Sequence, residues 1–235
     1  MNKSWLMALM VLPAGFAQAQ DSGLSVSVGA RAWYAQWTTF GYYAPLNNAG
    51  QRVNLALTQV PASDKLVWLP IVSVRYGDFV GSISAFPSTR FSFVDDGSGT
   101  RSELDVNLGY AVMPGLTLTL GYKKVSQGDG ADVYRPAGPV AGISANAPLG
   151  GAFSLYGALG IGRLKTPAGD KIAFKAGYRL TELGLAYTLN AERFPRRWTL
   201  TAGYRIQVLS SYEAFNAQDG RDTTQGLTLG AIATF

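Results

Sequence analysis

Neither cysteine nor histidine occurs anywhere among the 235 residues of this chain. The first absence excludes disulfides, thiolate metal sites, cysteine nucleophiles and a lipid-modified N-terminal cysteine. The second removes the most common general base and the most common metal ligand. Charge is scarce: Asp, Glu, Lys and Arg together make up 15%, against roughly 25% in ordinary domains. Long apolar runs are missing as well. Beyond the N-terminal segment no stretch approaches the roughly 18 apolar residues of a membrane-spanning helix. A mean hydropathy of +0.08 likewise excludes a polytopic helical membrane protein. Low charge combined with 12% aromatic residues argues equally against a disordered chain.

The net charge is +5, from 20 Lys and Arg against 15 Asp and Glu. The positives are scattered singly, and Lys123-Lys124 and Arg196-Arg197 are the basic doublets. No phosphate-tracking stripe results, so no nucleic-acid partner is expected. Residues 1–20 read as an export signal. Lys3 supplies a positive start, Trp5 to Phe16 an apolar stretch too short to span a bilayer, and Ala17-Gln18-Ala19 a small-x-small cleavage site. The expectation is a cleavable signal over 1–19 and one domain over 20–235.

The remainder of the chain alternates with a period of two. In Leu24 to Ala32 the even positions are apolar and the odd ones small or polar. Leu104, Val106, Leu108, Tyr110 and Val112 share one side, opposite Asp105, Asn107, Gly109 and Ala111. Segments 116–123 and 198–206 repeat the scheme. Such alternation is a strand signal and fits no helix. Strands are predicted at 23–37, 65–76, 79–91, 101–112, 116–126, 138–147, 152–165, 172–189, 198–209 and 224–235. In 172–189 the apolar face moves from even positions (Phe174 to Leu180) to odd ones (Leu183 to Leu189), which suggests a bulge near Thr181-Glu182. Short connections alternate with long ones (38–64, 92–100, 127–137, 210–223, and 166–171 as the shortest of the set), the pattern of an up-and-down membrane barrel.

An exported all-β chain could also be a soluble sandwich, and two features decide against it. Large aromatics sit beside the short turns on the apolar face: Tyr76, Phe79, Tyr110, Phe153, Tyr187 and Trp198. That is a girdle at headgroup level. The opposite face is mostly Gly, Ser, Thr and Ala, which suits the inside of a narrow tube better than a wet surface. Gly-Tyr pairs at 109–110, 121–122, 177–178 and 203–204 put glycine inward and tyrosine outward under this reading. The expected fold is an all-β, antiparallel, up-and-down transmembrane β-barrel of about ten strands, with eight or twelve as alternatives.

The final residues, Thr228 to Phe235, carry a resemblance. Thr228, Gly230, Ala233 and the terminal Phe235 resemble the polar-x-Gly-x-x-apolar-x-aromatic assembly signal of bacterial outer-membrane β-barrel proteins. With the export signal and the alternation, the likeness extends over the whole mature chain and points to the small porin-like and OmpA-like barrels of Gram-negative bacteria. It implies folding by the outer-membrane assembly machinery, contact with outer-membrane lipid and lipopolysaccharide, both termini in the periplasm and long loops outside. No cofactor and no metal is implied.

Hairpin register makes the interior specific. Val112 opposite Leu116 places Asp105 across from Lys123, and Leu189 opposite Trp198 places Glu182 across from Arg205, all four inward. By parity Arg31, Arg75, Glu103, Lys175 and Arg179 also point inward. Charges in a water-poor tube need partners, so these residues either tie the wall together as a plug or line an eyelet. Other features are set aside. Gly157 to Gly162 has the wrong spacing for a dinucleotide loop and reads as barrel wall. Asp95, Asp96, Asp129, Asp132, Asp219 and Asp222 do not fit a calcium loop and read as solvated loop charge. Arg163 and Lys165 fall on the apolar face near the long loops, and Arg193, Arg196 and Arg197 in a short turn. The functional expectation is a non-enzymatic, narrow passive pore for small solutes with a charged, partly plugged lumen. The alternative is a non-conducting surface barrel whose loops adhere or bind.

Overall fold

A computed structural model describes residues 23–43, 56–94, 97–129, 132–167, 175–189, 196–215 and 218–235. The expected signal segment, 1–19, lies outside the described residues. Among the described residues the regular elements are all strands: β1 (Leu24–Tyr43), β2 (Ala56–Pro61), β3 (Lys65–Tyr76), β4 (Phe79–Ser92), β5 (Ser98–Met113) and β6 (Leu116–Asp129). They continue as β7 (Asp132–Tyr134), β8 (Ala137–Gly150), β9 (Phe153–Lys165), β10 (Lys175–Leu189), β11 (Arg197–Phe215) and β12 (Gln218–Thr234).

The sheet order is β12-β11-β10-β9-β8-β6-β5-β4-β3-β1, and it closes on itself through the antiparallel β1–β12 ladder from Ser27↔Thr234 to Thr38↔Thr223. The result is a closed, antiparallel, ten-stranded barrel with two short additional strands. β2 lengthens the hairpin above β1, and β7 pairs with the far end of β6. Closure leaves no free edge at the first and last strands, as a backbone placed in hydrocarbon requires.

Short turns gather at one end, the turn end, and include Gly77-Asp78 and Pro114-Gly115. Gly115 has φ +78, and a Cβ there would collide with the Asn146 carbonyl oxygen, so this turn needs glycine. At the opposite, loop end the strands run further than alternation predicts. β6 reaches Asp129, β11 reaches Phe215, and β12 starts at Gln218, within segments expected as loops 127–137 and 210–223. Antiparallel ladders satisfy the backbone whatever the side chains do, so strands persist where the apolar-outside pattern has ended.

One expectation is corrected by register. β10 pairs with β9 and with β11 without a shift from Lys175 to Tyr187. No bulge interrupts Thr181-Glu182, and parity never changes. Ala176 and Tyr178 are therefore buried inside while Lys175 and Arg179 are exposed outside. The Gly177-Tyr178 pair is reversed as well, with the tyrosine inward. The apolar pattern switches because the interior itself changes from polar to apolar along the strand.

Candidate functional site

The outer surface is a continuous apolar band. Leu108, Leu120 (71% exposed), Ile161, Leu183, Leu200 and Leu229 all face away from the barrel axis. Water would not stabilise such a surface on a closed barrel, and hydrocarbon does. At the turn end Tyr76 is opposite Phe79. Phe79 meets Tyr110 at 5.2 Å between centroids, and Phe153 meets Tyr187 at 4.8 Å. Trp198, opposite Leu189, is on the same face. The C-terminal residues divide by parity: Thr228 and Gly230 face inward, and Ala233 and Phe235 fall on the outward positions of the closing strand. Arg196 stands 4.0 Å from the Phe235 ring centroid, which gives one member of the 193–197 basic cluster a partner.

Inside, the turn-end half is lined by small polar residues such as Ser27, Ser73, Ser82 and Asn107, on the inward positions of β1, β3, β4 and β5. Midway, two ion-pair groups span the bore. In the first, Lys123 donates to Glu103 Oε2 at 2.6 Å and to both Asp105 oxygens at 3.0 Å. Arg101 donates to Glu103 Oε1 through Nη2 at 2.6 Å and to Gln127 at 2.8 Å. In the second, Glu182 accepts from Arg31 at 2.7 Å and from Arg205 at 2.9 Å. Gln207 joins the two: with its amide nitrogen turned toward Glu103 it donates to both carboxylate oxygens, and its oxygen accepts from Arg205 at 2.7 Å.

This belt holds four cations (Arg31, Arg101, Lys123, Arg205) and three carboxylates (Glu103, Asp105, Glu182), a surplus of +1. Sequence parity suggests six cations against three. Lys175 and Arg179 drop out because they face outward, and Arg75 lies at the turn-end rim, donating to the Gly77 carbonyl at 3.1 Å. Arg101 enters in their stead; it shares parity with Glu103 and Asp105, and that is the signal the sequence offers for it.

Above the belt the lumen becomes a core. Trp33, Trp37, Val67, Phe86 and Phe91 form one buried cluster, and Val125, Leu164, Tyr178 and Leu209 form another. Trp33 meets Phe86 edge-on at 5.9 Å, and Trp37 meets Phe91 at 5.4 Å. The clusters and the belt are knit together by cations over rings: Lys123 is 4.8 Å from Tyr178, Arg205 is 5.3 Å from Trp33, and Arg101 is 5.7 Å from Trp37. Asp222 also belongs here and is not solvated loop charge: it is buried and accepts from Thr39 at 2.6 Å and Trp37 at 3.2 Å. Asp95 and Asp96 lie outside the described residues. No group of metal-ligating side chains occurs among the described residues.

No family model and no curated protein matches this sequence. Among solved structures, the outer membrane protease OmpT from Escherichia coli is 11% identical, with a TM-score of 0.49 over 92% of this chain and 98% of that one. The outer membrane protein OprG from Pseudomonas aeruginosa is 13% identical, with a TM-score of 0.38 over 91% of this chain and 96% of its own. Ail, the attachment invasion locus protein of Yersinia pestis, is 14% identical, with a TM-score of 0.27 over 90% and 99%.

Proposed function

We propose that the chain is a non-enzymatic bacterial outer-membrane barrel that passes small solutes passively, with its termini in the periplasm and its loop end outside. The observation that carries this reading is the graded lumen, charged and partly plugged: a polar vestibule at the turn end leads into a charged belt, beyond which buried aromatics pack the bore. Small inward residues leave room for water below the belt, and the +1 surplus gives the narrow zone a mild preference for anions. Export by a cleaved signal and closure by the outer-membrane assembly machinery complete the proposal. Lipopolysaccharide is the expected lipid partner. Outward-facing Lys124, Lys165 and Lys175 stand on one line across β6, β9 and β10, because Lys124 pairs with Ala137, Ala137 with Lys165, and Lys165 with Lys175. Arg163 and Arg179 lie below them on the same face, and this outward basic group supports contact with anionic headgroups.

The test is single-channel recording on the refolded full chain in planar bilayers. A small, steady, weakly anion-preferring conductance is expected. A silent bilayer, with folded protein proven by heat-modifiable migration, would overturn the conduit and favour a non-conducting surface barrel.

A further inference from the structure

Among the described residues the longest interruption of the barrel wall lies at one seam. Most barrel ladders run for nine to sixteen residue pairs, but β3 and β4 pair only from Tyr76↔Phe79 to Ile71↔Ser84, six pairs. Beyond that point, among the described residues, Lys65–Pro70 is laddered with β1 alone, Ala85, Phe86 and Thr89–Ser92 with β5 alone, and Pro87 and Ser88 with neither neighbour. The strands meet again at the loop end, through the Ala62↔Phe93 bridge and the Ser63 N–H donating to the Ser92 carbonyl at 2.7 Å. What lies between is a bounded slot. Six residues of strand make it about 20 Å long.

Its cause is local. Pro70 has no N–H to donate, and it stands where the ladder stops. On the facing strand the β4–β5 register shifts between Phe86 and Thr89, with Thr89 Oγ1 donating to the Pro87 carbonyl at 2.8 Å. Both lips are thus withdrawn from pairing. Trp68 and Leu66 face outward beside the slot and are well exposed, so its lower part looks into hydrocarbon. An unpaired strand edge at that depth is costly unless it lines a polar cavity.

Such a cavity is present. A space of about 60 Å³ lies behind the lower end of the slot, with Leu69, Ile71 and Phe86 on the wall side and Arg31, Glu103 and Arg205 on the inner side, while buried Val67 and Phe91 back its upper part. Its lining is apolar toward the bilayer and hydrogen-bonding toward the belt. We propose that this slot is a lateral portal for small amphipathic molecules, which seat an uncharged hydroxyl or amide head in the cavity and leave an apolar body between β3 and β4. A charged head would meet a like charge, because guanidinium and carboxylate groups line the inner side together. The portal deepens the conduit reading by giving the lumen a membrane-facing entrance as well as its axial one.

The chain has no cysteine, so a nitroxide placed at Leu69→Cys is a unique reporter. In bilayers, collision with dissolved oxygen should be several-fold more frequent there than at Asn107→Cys, an inward site on unbroken seams with Ser82 and Gly121. Replacing both prolines (Pro70→Thr, Pro87→Thr) should restore donors, zip the ladder and bring the two sites together. Should Leu69→Cys not fold, Ile71→Cys lines the same cavity. In parallel, 4-fluorobenzyl alcohol followed by ¹⁹F NMR should show a saturable component that Leu69→Trp abolishes. Oxygen contact at position 69 as low as at 107, or an alcohol signal unchanged by Leu69→Trp, would overturn the portal. A silent planar bilayer with an oxygen-accessible position 69 removes the axial route and leaves the portal standing. A conducting barrel with a shielded position 69 does the reverse.

Discussion

Replacing Lys123 by methionine should destabilise the barrel more than any other single change in the belt. Lys123 is 0% exposed, and it is the cation between Glu103 and Asp105. Methionine fills nearly the same volume, so packing around Tyr178 is largely kept and the electrostatic loss is isolated. Glu103 would retain Arg101 and Gln207, whereas Asp105 would lose its ion-pair partner. Breaking a buried pair from one side costs about 3–5 kcal/mol. Asp105→Asn should be far milder, about 1 kcal/mol, because its side chain is 20% exposed and water can replace part of what it gives up. Urea unfolding in lipid vesicles reads both. Equal midpoints for Lys123→Met and wild type would refute the belt as a structural tie. Register alone suggests that exchanging Asp105 and Lys123 would be far milder than removing either one. The geometry predicts otherwise, since an aspartate at 123 would face Glu103 as a like charge.

The second large effect is expected at Phe91. Its ring is fully buried in the bore, 5.4 Å from Trp37 and 6.4 Å from Phe86. Truncation to alanine removes most of a large aromatic from a packed cluster, at a cost of about 3–5 kcal/mol. It also loosens the aromatic cluster that packs the bore above the belt. The same variant should therefore lose stability and gain conductance several-fold in planar bilayers. A destabilised but unaltered conductance would show that the constriction lies elsewhere. Retained stability would mean that the site collapses around the missing ring.

The barrel wall is legible in the sequence because lipid outside and small residues inside impose a strict period of two. Leu104 to Val112 and Leu116 to Tyr122 show this, and so do the cross-strand pairs Asp105–Lys123 and Glu182–Arg205. Parity reads sidedness only while the two sides differ in polarity. From Ala176 to Leu180 the inside is itself apolar, so the rule assigns Tyr178 outward and Lys175 and Arg179 inward, the reverse of their positions. Trp33 and Trp37 carry a readable warning, since they share the odd parity of Arg31 and hence its inward direction. The slot between β3 and β4 is harder to foresee. Pro70 and Pro87 mark it, yet a proline in a strand does not say which neighbour goes unpaired until register is known.

The most direct check is a map of contacts between lipid acyl chains and protein methyl groups, by cross-relaxation NMR on methyl-labelled protein in bilayer discs. The leucines at 108, 120 and 200 should exchange magnetisation with chain methylenes, whereas Val125, Leu164 and Leu209 should exchange only with other protein groups. Cross-peaks from the first set to a second layer of the same polypeptide, with no acyl contact, would contradict a hydrocarbon-facing barrel.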